Sequence, residues 1–329
     1  MAMKSNFFLQ KIADVALFSK KEQGERKVVA RLKRVCDLFS HPVRHRRVAK
    51  ALNKPVFRDI LKRQPQLTIK YLHYRYLVRG MSTAERAATT IHHYDLLGTK
   101  FDSVFVAKVL DKEACLWDYP TDAGRHRVVL KFSDPTDNEG ELTFEYQFEG
   151  VLIYLLSFSF APGSLAGLPA NTVVLLTRLQ GTKSDFELLR TAMKSLRGLS
   201  APAVLIAALH GLADGMGLTT ILGVSAEAQV CYYDGQPSVF VAAYDDFFTS
   251  LGGSKLTSKF YALALPLVEK PIDEVKSNNR SRTRAQRDLK KSIAGSVQDA
   301  IMQNLETVPG TTIRSSSVAP TSQLNCSLN

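Results

Sequence analysis

Three groups of residues in this sequence have the types and spacing that chemistry requires. Gln180, Gly181, Thr182 and Lys183 follow an unbroken apolar run at 173–176 and precede Ser184 and Glu187, which stand at capping-box spacing. A buried strand is therefore expected to pass through a glycine turn into a helix N-terminus, where free amides and the helix dipole favour phosphate or pyrophosphate. The competing reading is a turn that holds nothing, with Gly181 supplying a positive φ. Tyr244 and Asp245 offer a phenol and a carboxylate for general acid–base work, against the simpler reading of a helix cap before Phe247, Phe248 and Leu251. Arg280, Arg284, Arg287 and Lys291 recur at three and four, one basic stripe on a helix, suited to RNA phosphates, anionic lipid or plain solvent. The stripe has no interleaved aromatic residue, which argues against selective readout of bases.

Other chemistries find less support. Lys183 does not follow a glycine directly, so the 181–184 segment is not a nucleotide-binding P-loop. His92 and His93 are adjacent, about 100° apart on a helix, and cannot chelate one metal together. His210 sits in an apolar helical stretch and reads as a packed core histidine. Cys36, Cys115, Cys231 and Cys326 lack paired spacing, which argues against a zinc site or a disulfide framework; no metal is expected.

The elements that must position these groups follow from pattern. Residues 26–39 place apolar positions at helical spacing with basic residues opposite, and Pro42, Pro55 and Pro65 leave room only for short helices. Ser82 and Glu85 form a capping box for a helix over 82–94. Beyond Gly98, short β-branched and aromatic segments at 101–111, 113–120, 126–134, 141–150 and 151–162 read as strands of an antiparallel meander. A central strand at 173–176, a helix to Gly198, a second helix opened by Pro202 and a strand at 219–225 force a crossover, with the last strand parallel to a predecessor. The fold class is thus α+β or α/β: a helical, basic N-terminal region, then a mixed, largely antiparallel sheet with flanking helices. The expected organisation is a basic helical region at 1–97, a mixed domain at 98–293 and a disordered tail at 294–329.

Charge sharpens this division. The 329 residues carry a net charge of +12, yet residues 1–80 hold 20 basic against 5 acidic groups and residues 270–291 hold 8 against 3, leaving the rest at −8. Two basic flanks on an acidic body suggest a polyanionic partner, either nucleic acid or an anionic membrane. The chain has no apolar run of 18 residues, and Lys11 and Asp14 interrupt the stretch that a translocation signal needs. A cytoplasmic protein is expected, with peripheral contact at the inner membrane.

The order of several motifs carries a resemblance. The segment from Leu179 through 225, then 242–253, 261–266 and the Arg-rich 277–293, with 70–97 and 139–160 upstream, resembles the VirK/YbjX family of bacterial virulence-associated proteins. Thr177 and Arg178 stand where that family commonly has a glycine pair, and Phe248 where a tryptophan is usual. The resemblance implies a Gram-negative setting, with envelope integrity or surface presentation of virulence factors as the role; it implies no reaction. The order of elements is also similar to Gcn5-related acyltransferases, which implies acyl-CoA as cofactor with its pyrophosphate at Gln180, Gly181, Thr182 and Lys183. Three readings therefore stand: an acyltransferase-like enzyme, a non-enzymatic factor on inner-membrane lipid or RNA, and an adaptor for an exported virulence protein.

Overall fold

The computed structural model describes residues 36, 38–133, 137–182 and 186–306. The amphipathic helix expected at 26–39 therefore lies largely outside the described residues. Pro42, Pro55 and Pro65 each open a helical segment, since a first-turn proline gives up only an amide that the helix leaves unpaired. Helix α1 spans Pro42–Leu52 and α2 spans Arg58–Arg63. In α3, Thr83–Lys100, the Ser82 hydroxyl accepts from the Glu85 amide at 3.2 Å while the Glu85 carboxylate accepts from the Ser82 amide at 2.6 Å. Gly98 lies inside this helix, so the division expected at 97/98 does not coincide with an element boundary.

One expected strand is a helix. Residues Ser103–Asp111 form α4, because the Asp102 carboxylate accepts from the amides of Val104 and Phe105 at 2.9 and 3.1 Å. Phe105, Val106, Val109 and Leu110 then share one buried face. The cap and the helical period outweigh the β-branched composition on which the strand reading rested.

The remaining strands form one sheet: β1 (Ala114–Thr121), β2 (Gly124–Phe132), β3 (Leu142–Phe148), β4 (Val151–Ala161), β5 (Val173–Gly181), β6 (Thr220–Val224), β7 (Ser254–Lys255) and β8 (Phe260–Ala264). Their order is β1-β2-β3-β4-β5-β6-β8-β7, and only β5 and β6 pair in parallel. Helices α5 (Phe186–Ser195) and α6 (Ala201–Gly215) supply the crossover between them. Parallel pairing covers Val174 to Leu176 alone, and β5 then continues to Gly181 against β4 only, so β5 and β6 splay. Leu142, Phe144, Tyr146 and Phe148 are all buried, with the Phe144 and Phe158 rings 5.3 Å apart. The intervening Thr143, Glu145 and Gln147 are buried as well, and neighbours satisfy them: Thr143 Oγ1 lies 2.8 Å from Ser133 Oγ and 2.9 Å from Ser157 Oγ.

A helical rod follows β6, with α7 (Pro237–Phe240), a π-helical turn (Val241–Asp245) and α8 (Asp246–Ser250) in sequence. The long α9, Arg280–Gln303, runs beside α6. Gly211 and Gly215 make that approach possible: a Cβ on Gly211 would stand 2.2 Å from the Ala294 carbonyl oxygen, and one on Gly215 would stand 3.0 Å from Ile301. Helix α9 passes through the boundary expected at 293/294, so at least its last turns, to Gln303, are ordered helix rather than tail. Its end returns to the α3–α4 junction, where the Asp102 amide donates to Asn304 O at 2.8 Å and the Glu306 amide to Lys100 O at 2.9 Å. Residues 307–329 lie outside the described residues.

Two expected outcomes follow from this packing. Gly211→Ala must push two helix backbones apart and should lower stability by about 1–3 kcal/mol, whereas Gly295→Ala, whose Cβ meets no atom within 4 Å, should raise it by about 0.5–1 kcal/mol; denaturant titration of both variants checks the pair. Burial also sets a pH response. It pushes His93 down to about 4, while at Glu141 burial is outweighed by Lys70, His93 and two tyrosine hydroxyls, which hold the carboxyl below its usual range. The unfolded chain therefore binds protons first at both groups, and stability present above about pH 6.5 is lost as the pH falls toward 4. The melting temperature should fall over that window, and His93→Asn should flatten the fall.

Candidate functional site

At the exit of β5, the sequence expects a glycine turn with free amides. Strand pairing instead carries on through Gln180 and Gly181, opposite Leu155 and Tyr154. Gly181 does not have a positive φ; a Cβ there would crowd the Tyr154 ring at 3.0 Å. Thr182 continues the engagement, its amide donating to Ile153 O at 3.2 Å and its hydroxyl to Leu152 O at 2.8 Å. Lys183 and the two residues after it lie outside the described residues, and α5 opens with an acidic first-turn residue, Glu187, beside an exposed Phe186. A first-turn carboxylate opposes an anion at that helix end.

The splay between β5 and β6 brings Tyr244 to the same strand from the other side. Its ring is 5% exposed and lies between Phe240 and Phe248. Gly223 admits the Phe248 ring, which would lie 2.5 Å from a Cβ at that position. Burial first, then Cys231 and Glu139, drive the Tyr244 phenol upward, so it stays neutral. Asp245 is turned away from Tyr244: its Oδ1 accepts from the Ala226 amide at 2.7 Å, capping the turn after β6. It does not open its own helix, because the π-helical turn joins α7 and α8 into one rod.

Sequence reasoning missed the polar group beside Tyr244. Arg178 pairs with Glu139 at 2.9 Å and with Asp137, and its Nη2 donates to Ser157 Oγ at 2.9 Å. Burial raises the Glu139 carboxyl against the pull of Arg178. Cys231 is a surface residue whose thiol is partly covered; that partial burial, then Glu139, pushes the thiol up to about 12 and keeps it protonated. The signal was present as one arginine inside an otherwise apolar strand.

The basic stripe on α9 divides into two roles. Arg280 donates to Val275 O and Asp273 O at 2.9 and 2.8 Å, and Arg287 pairs with Glu269 at 2.9 Å and donates to Lys270 O. Both arginines clamp the 266–276 strap onto the helix. Arg284 and Lys291 are exposed, and among the described residues neither pairs with a carboxylate. Lys291 lines a cleft of about 860 Å³ between α6, α9, the strap and α8, and Arg284 stands two turns away on the same helix. His210, half-buried rather than in the core, faces this cleft with Nε2 3.4 Å from Asp214 Oδ2.

Asp245→Ala removes a cap and should cost about 0.5–2 kcal/mol, and Tyr244→Ala empties a buried aromatic site and should cost about 3–5 kcal/mol. Urea unfolding reads both, and wild-type stability in either variant would contradict the structural role of the residue replaced.

Comparison with known proteins gives the chain relatives but no reaction. No solved structure matches the chain. It is similar to the uncharacterized protein YbjX of Escherichia coli (strain K12), 23% identical over 244 residues, covering 71% of this chain and 72% of that protein. Residues 23–299 match the model of the protein family of unknown function DUF535, and the chain belongs to that family.

Proposed function

We propose that this protein binds anionic lipid at a membrane surface through charge and burial, without covalent chemistry. The observation that carries the reading is the pair Arg284 and Lys291, two exposed cations on one helix without a carboxylate partner among the described residues, next to a cleft with an apolar floor. Cations held over apolar surface suit phospholipid headgroups. RNA fits less well, because residues 280–291 carry no aromatic side chain for base stacking. Among the described residues no helix is long and apolar enough to cross a membrane, so contact through them is peripheral. The cytoplasmic face of the inner membrane is the anionic surface that fits, and a role there accords with the envelope setting implied by the VirK/YbjX resemblance.

The acyltransferase reading rests on element order alone. Tyr244 is packed among aromatic rings, Asp245 caps a turn, and the amide and hydroxyl of Thr182 are engaged by β4.

Flotation with phosphatidylglycerol vesicles tests the reading. Binding should fall steeply with salt, and the double variant Arg284→Ala/Lys291→Ala should weaken it roughly 30-fold, at about 1 kcal/mol per charge. Equal binding to uncharged vesicles, or tighter salt-sensitive binding to single-stranded RNA, would overturn it. Saturable stabilisation by CoA esters in a melting assay would restore the enzyme, and a partner protein retained at high salt would favour the adaptor.

A further inference from the structure

The cleft beside α9 is built to hold more than a bilayer edge. Where Gly211 and Gly215 seat α6 against α9, the two helices share a closed seam, and the groove alongside is lined by the partly exposed Ala203, Phe247, Leu251 and Leu267. Gly295 continues the apolar wall, and a Cβ there would project into open space. Across from it stands the strap, fixed by Glu269 to Arg287 at 2.9 Å and to Lys290, with Val268 88% exposed at its tip. Four cations line the groove, Lys270, Arg287, Lys290 and Lys291, against two carboxylates, Asp214 and Glu269. Uncharged donors and acceptors stand between the cations at Thr283 and Gln286. The Gln286 amide nitrogen is engaged by Arg197 O at 2.9 Å.

We infer that this cleft holds one molecule of a single-chain glycerophospholipid, its acyl chain along the wall at Gly295 and its phosphate among Arg287, Lys290 and Lys291. The inference rests on the lipid-surface reading above and names the ligand of the same face. The cleft is open to solvent on one side, and its volume of about 860 Å³ leaves room for one small molecule, since ligand sites run to about 300–1,000 Å³. The excess of cations selects a phosphate over a zwitterionic head, and the polar groups between them suit glycerol hydroxyls. An apolar floor requires a chain, because cations alone would serve free phosphate equally well.

The test uses the full chain and lysophosphatidylglycerol below its micelle concentration, read by calorimetry. Binding should be saturable, one molecule per chain, and should tighten roughly fourfold for each added methylene that is buried. Gly295→Phe should abolish it by filling the groove, while Gly295→Ala should retain it and report that the position tolerates substitution. Gly295→Phe should still float with anionic vesicles, since Arg284 and Lys291 are untouched; this separates failure of the cleft from failure of the surface reading. Wild-type affinity in a folded Gly295→Phe overturns the inference, as does equal affinity for lysophosphatidylcholine, for a fatty acid of equal chain length, or for inorganic phosphate.

Discussion

The ion pair between Lys70 and Glu141 constrains the rest of the molecule. The two side chains are 3.0 Å apart and each is only 1% exposed. Glu141 stands at the start of β3 and accepts from Tyr76 at 2.6 Å and from Tyr94 on α3, while Lys70 lies 5.3 Å from the Tyr76 ring centroid. Burying two charges is costly, and only complete satisfaction of the carboxylate makes it tolerable. The N-terminal helices and the sheet therefore adopt one relative placement. His93, next on α3, extends the same logic by accepting from the Phe160 amide at 3.1 Å, so a histidine becomes part of the sheet's backbone accounting.

With that end pinned, the far end of the sheet is free to differ in kind. β5 outruns β6, and the gap is closed by rings from the rod at 237–250 rather than left as a slot. The Arg178, Glu139 and Asp137 group satisfies itself beside those rings. An α/β crossover of this type commonly offers a ligand site at the strand end. Here aromatic rings fill the splay and β5 stays paired with β4 as far as Gly181, while a cleft of about 860 Å³ lies between the crossover helix α6 and α9.

The same helix pair explains how the positive charge is used. Close packing at Gly211 and Gly215 sets α9 in place, and Arg280 and Arg287 then hold the strap that walls the cleft. Charges that read alike in sequence thus separate into structural clamps and free contacts, according to which backbone carbonyls and carboxylates the strap brings within reach.

Local signals alone determined much of this chain. The capping box at Ser82 and Glu85, the proline-opened helices, the strand from Leu142 to Phe148 and the crossover after 173–176 are short-range patterns, and each matches the structure. At 101–111, too, the deciding cap at Asp102 was in the sequence but was outweighed by β-branched composition. Tertiary structure alone decided that Gly181 accommodates Tyr154, that Asp245 serves Ala226, and that Gly211 and Gly295, alike in sequence, stand at a closed seam and an open wall. The reason is physical: a helix or turn is specified by neighbours a few residues away, whereas the space around a side chain belongs to segments tens of residues distant that no local pattern can name.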